Sequence, residues 1–199
     1  MSKRCDSTVA FYSDTDAEAI KRIKCDLEAW SQDKKGYSKL SDYFLALIGA
    51  EELVEKLHLE FSSITYNLPQ YIEIAMHTTD LPPCGFFDVV AHHYGVEYVF
   101  IAEEPCTGLF INTDMKGRFL LPNKYRVTFL YDRSYGGTPY EEMLEDAEGY
   151  PACFKTEAEI VDFFKLYGFK VESYGDIESI INPDFICIDV FERVYVTRQ

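Results

Sequence analysis

The chain has 199 residues, 47% of them apolar and 16% aromatic, enough to bury a core and too apolar for a disordered segment. Nineteen basic against 34 acidic residues give a formal charge of −15, which opposes binding to nucleic acid or an anionic membrane unless a local basic patch overrides it. The excess is spread over both halves: residues 1–100 carry nine bases and sixteen acids, residues 101–199 ten and eighteen.

Thr8–Tyr12 reads as a short first strand. Ser13 to Asp16 supply helix-capping side chains, and Ile20, Ile23, Leu27 and Trp30 at helical spacing predict an amphipathic helix over Asp16–Trp30, with Lys21, Arg22 and Lys24 outward. Ser38 or Ser41 caps a second helical segment with Phe44, Leu45 and Ile48 on one side. Gly49 ends or bends it, and Ala50–Leu57 is rich in helix formers. Strand character begins near Leu59 and turns at Asn67–Gln70. Tyr71–Thr78 then alternates, with Ile72, Ile74 and Met76 on the buried side. Pro82-Pro83 leads into a helix whose Phe86, Val89, Val90 and His93 share a face, with Gly95 ending it. Val96–Ala102 is the most hydrophobic strand and is expected at the centre. Leu109–Asn112, Arg118–Leu121 and Tyr125–Tyr131 are expected to complete a meander.

This order predicts an α+β chain: a ferredoxin-like antiparallel sheet with helices on one face. Residues 1–132 are expected to be the core, with a helical insertion near 38–58. Residues 133–199 read as an acidic loop plus a helix–strand unit that packs on the same sheet. Thr156-x-x-Glu159 is a capping box before Ile160, Phe163, Phe164 and Tyr167, and Phe185–Val196 is expected to be one long strand.

No apolar run follows Met1-Ser2-Lys3-Arg4, and no stretch nears the roughly 20 apolar residues of a membrane span, so neither signal peptide nor span is expected. Cys5, Cys25, Cys84, Cys106, Cys153 and Cys187 are widely spaced with no C-x-x-C, as reduced thiols of a cytoplasmic protein would be.

Several landmarks together resemble the YubB-type ferredoxin-like family of plasmid and phage proteins. They are Cys5 before a strand and amphipathic helix, Thr78–Pro83 as a proline turn, and Tyr98–Pro105 ending in Glu-Glu-Pro, then Gly108 and Phe110. The likeness covers roughly residues 1–131. Cys106-Thr107 intervenes before Gly108, and the segments at 38–58 and 134–199 lie outside the pattern. It implies a fold and a mobile-element origin, and it carries no catalytic signature.

The candidate chemistry is thin. His92 and His93 are adjacent and point about 100° apart on a helix, so they do not share a ligand from one face. Cys84 precedes a helix, where the dipole lowers a thiol pKa, but no Lys or Arg stands near it in sequence. G-x-S-x-G, P-loop and G-x-G-x-x-G patterns are missing. Sheet aromatics can stack RNA bases, yet the basic-aromatic run of such domains is absent. No catalytic residue, metal site or cofactor is therefore expected.

Acidic residues remain. Glu141, Glu142, Glu145, Asp146 and Glu148, with Glu103 and Glu104, are the candidates for contact with a protein partner, set against the plainer role of a solvated surface. The expected function is that of a non-enzymatic accessory protein acting by protein–protein binding. In its sharper form it is an acidic mimic of nucleic acid that inhibits a host defence or nucleic-acid-handling complex. A small-molecule or enzymatic domain with a cleft beside the C-terminal unit is one alternative. A self-assembling domain, such as a homodimer joined at a sheet edge, is the other.

Overall fold

Alternation puts Cys5, Ser7, Val9 and Phe11 on one side of the first strand, β1 (Arg4–Tyr12), and all four are buried. The computed structural model describes residues 4–32, 40–47, 49, 60–79, 81–114, 116–130, 134–148 and 150–193. In it β1 pairs antiparallel with β3 (Tyr71–Thr79), Val9 opposite Ile74, and with β4 (Glu97–Glu104), Val9 opposite Phe100. β3 continues to β2 (Glu60–Leu68) and β4 to β5 (Leu109–Asn112), so these strands run β2-β3-β1-β4-β5 with every neighbour antiparallel. The strand begins at Arg4, four residues before the expected Thr8. Pairing with β3 recruits the polar Arg4, and pairing with both β3 and β4 recruits Asp6 and Ser7, residues with little strand propensity of their own.

The capping side chains do start α1 (Ala17–Gln32): Ser13 Oγ accepts from the Asp16 N–H at 2.9 Å, and the Asp16 carboxylate accepts from the Ala19 N–H at 3.1 Å. Its buried stripe is Ala19, Ile20, Ile23 and Leu27. α2 (Leu40–Leu47) buries Leu45, while Ser38, Ile48 and the helix expected at Ala50–Leu57 lie outside the described residues. α3 (Cys84–Tyr94) follows the Pro-Pro turn and ends on Gly95 at φ 69, a left-handed conformation that a residue without Cβ adopts freely. Its buried side is Phe86, Phe87, Val90, Ala91 and Tyr94. The expected face is thus turned by about one residue, which leaves His93 exposed. These helices and one face of the sheet form a single core. Each fully buried Phe, Ile or Met in it stabilises the unit by ~1.5–3 kcal/mol.

The chain is α+β, with antiparallel sheets and six helices among the described residues. It divides at Leu120/Leu121 into two compact units, where the sequence reading set the boundary at 132. Arg118–Leu121 is not a strand. The buried Asp114 carboxylate accepts from the Phe119 N–H at 2.8 Å and the Leu120 N–H at 3.0 Å, closing a loop that stops sheet pairing.

The strand expected to finish the meander is β6 (Tyr125–Phe129), which lies instead between β7 (Ala152–Phe154) and β8 (Ile186–Val190) in a three-stranded sheet. The expected addition of this strand to the first sheet therefore fails for β8. Ile186, Ile188 and Val190 stand opposite Phe129, Val127 and Tyr125, a register that matches one apolar face to another. The single strand expected over Phe185–Val196 breaks at the buried Phe191, whose N–H bonds the Lys124 carbonyl at 2.8 Å, and β9 (Glu192–Arg193) follows. Residues beyond Arg193 lie outside the described set.

Three helices complete this second unit: α4 (Glu141–Asp146), α5 (Glu157–Leu166) and α6 (Tyr174–Ile180). The Thr156/Glu159 capping box is formed as expected, and α5 buries Ile160, Val161 and Phe164. α6 was not anticipated. Ser173 and Asp176 make a second capping box ahead of the buried Ile177, and Ser-x-x-Asp was its signal in the sequence. With Tyr125, Val127, Phe129, Tyr135, Tyr140 and Met143 these residues make a core of their own.

Candidate functional site

The seven candidate acids are divided between the units. Glu103 and Glu104 belong to the first, on β4. Glu103 is half-buried and stands cross-strand from Asp6 and Phe110. Glu104 is fully buried, a correction to its expected place on a contact surface. Its carboxylate accepts from the Cys106 N–H at 3.0 Å, the Thr107 N–H at 2.7 Å and the Thr107 hydroxyl. The Thr107 hydroxyl bond, followed by these backbone donors, holds the carboxyl below its ordinary range. Glu104 is the acceptor that folds the Glu-Glu-Pro corner back on itself, and it presents no charge to a partner.

The other five acids lie on or just after α4 in the second unit. Glu141 and Glu142 occupy its first turn, where the macrodipole favours carboxylates, and Glu141 accepts from the Gly137 N–H at 2.8 Å. Asp146 accepts from the Tyr167 hydroxyl at 2.8 Å. Burial and then this carboxylate push Tyr167 up to about 12. Glu142, Glu145 and Glu148 stand in solvent, and Tyr150 beside them is 72% exposed. The last turn of α4 has no basic residue. Residues 121–194 as a whole carry fifteen acids and seven bases.

Two polar groupings in the first unit escaped the sequence reading. On the sheet face away from the core, His77 Nδ1 lies 2.5 Å from the Asp6 carboxylate, and the Arg4 guanidinium meets that carboxylate at 2.7 Å and the imidazole at 3.0 Å. Arg4 and Asp6 are two apart on β1, and His77 is the register partner of Asp6 on β3, so only the pairing brings the three together. The second grouping is an open cleft of about 320 Å³ between α1 and α3, lined by Glu18, Lys21, Arg22, Cys25, Asp26, His93 and Tyr94. Its α1 residues recur at helical spacing on one stripe, which includes Lys21 and Arg22 of the basic triplet expected to point outward. Arg22 donates to the Tyr94 carbonyl at 3.3 Å, and the buried Tyr94 hydroxyl donates to Asp26 at 2.6 Å, clamping the end of α3 to α1.

None of the six cysteines is in a disulfide. Cys84 does open α3, as the nucleophile reading required, but burial and then the Asp88 charge raise its pKa, against any lowering by the helix. Burial likewise raises Cys5 and, with Asp189, Cys187. Among the described residues no three His, Cys, Asp or Glu side chains converge as a metal ion requires, and no helix is long and apolar enough to cross a membrane. His92 and His93 are both exposed, and His58 lies outside the described residues. Compared with known proteins, the chain matches no family model, no curated protein and no solved structure.

Proposed function

We propose that this chain is a non-enzymatic accessory protein that binds another protein through the acidic surface of its second unit. The observation that carries the reading is the solvent-facing set Glu142, Glu145 and Glu148 beside the exposed Tyr150, in a unit with twice as many acids as bases. Glu142 and Glu145 are one turn apart, about 4.5 Å along the helix axis, comparable to the ~3.4 Å charge repeat of one DNA strand. An exposed tyrosine next to the carboxylates adds the kind of rigid anchor that protein interfaces favour. The partner fitting this chemistry is a basic groove that otherwise holds nucleic acid, as in a host defence or nucleic-acid-handling complex.

The finer readings belong to the same proposal. The first unit is a ferredoxin-like domain related to the YubB-type proteins of plasmids and phages, supported by its strand–helix–strand–strand–helix–strand order, once the additional α2 is set aside, and by the β2-β3-β1-β4 arrangement. The cytoplasm as its compartment is supported by six cysteines with no disulfide among them.

The test is capture of partners from native host extract by the wild-type chain and by a Glu142→Gln/Glu145→Gln/Glu148→Gln variant, at about 50 and about 200 mM salt. The expected result is a nucleic-acid-binding protein retained at low salt, displaced by duplex DNA, and lost from the triple variant. Equal capture by both chains, indifferent to salt and DNA, overturns the mimicry. Failure to capture any protein, together with a mass that rises with concentration in light scattering, would instead favour the self-assembling reading.

A further inference from the structure

We draw no further inference here: the strongest candidate, the open cleft between α1 and α3 where Cys25 and His93 stand beside Lys21, Arg22 and Asp26, has charges already engaged within the protein, Lys21 by Glu18 and both Arg22 and Asp26 by Tyr94, and nothing else in the structure says what would sit against its lone thiol.

Discussion

Alkaline pH should destabilise this protein steeply, because four tyrosines stay neutral in the folded chain at a pH where the unfolded chain has ionised them. Burial, followed by a hydrogen-bonded carboxylate, pushes Tyr12 up to about 12 beside Glu97, and Tyr167 up to about 12 beside Asp146. Burial also raises Tyr94, whose partner is Asp26, and Tyr174, whose partner is Glu178. A raised folded pKa means that the contribution to stability is complete below the ordinary tyrosine value of 10 and is lost as pH climbs through the folded value. Each such tyrosine steepens the loss by ~1.4 kcal/mol per pH unit. Four together set a limit of roughly 5 kcal/mol per unit above pH 10, and solvent screening at the half-buried Tyr12 and Tyr167 narrows the pH range over which they contribute. The raised thiols of Cys5, Cys84 and Cys187 act with the same sign, starting from their ordinary value of 9. Urea unfolding from about pH 8 to about pH 11, with tyrosinate absorbance in parallel, reads both quantities. A Tyr94→Phe variant separates the causes. It should lose ~1.5–3 kcal/mol at neutral pH with the bond to Asp26, and above pH 10 its stability should fall more gently than wild type by ~1.4 kcal/mol per unit. The reasoning is refuted if all tyrosines of the folded chain titrate as one class near 10 and the variant's curve runs parallel to the wild type.

Glu104→Gln should lower the thermal midpoint while leaving partner capture and its salt dependence unchanged, because the carboxylate serves the 104–107 corner; a selective loss of capture with intact melting would return Glu104 to the contact surface. Phe164→Ala, at a fully buried position of the second core, should cost ~3–5 kcal/mol by chemical denaturation, and a change under 1 kcal/mol would mean the core is not packed as described. Thr156→Ala removes the acceptor for the Glu159 N–H and should cost ~1 kcal/mol, read as a shift in urea midpoint that Thr156→Ser largely spares.

Periodicity and capping determined a good deal by themselves. The apolar rows of α1, β3 and α5 lie where their spacing put them, because a period of 3.6 or 2 with one oily side has only one orientation that buries it. The capping box at Thr156 and the left-handed Gly95 are equally local, set by side chains within a few residues of the helix end. The exposure of Glu142, Glu145 and Asp146 on α4 was legible too, since exposure of a charged stretch needs little from the rest of the fold.

Pairing is what only the tertiary structure decided. Leu109–Asn112 and Tyr125–Phe129 read alike as extended segments, yet they belong to different sheets. The buried Asp114 loop interrupts the run between them, and the apolar faces of β6 and β8 match in register. Glu103 and Glu104 are adjacent acids in the sequence, but the N–H groups of Cys106 and Thr107, two and three residues on, draw Glu104 inside as their acceptor, a turn that the pattern of acids alone does not reveal. Non-local contacts rewrote other roles: His77 reaches Asp6 only because β1 and β3 lie side by side, and Cys25 shares a cleft with His93 only because α1 packs against α3. No spacing along the chain encodes a neighbour contributed by a distant strand or helix.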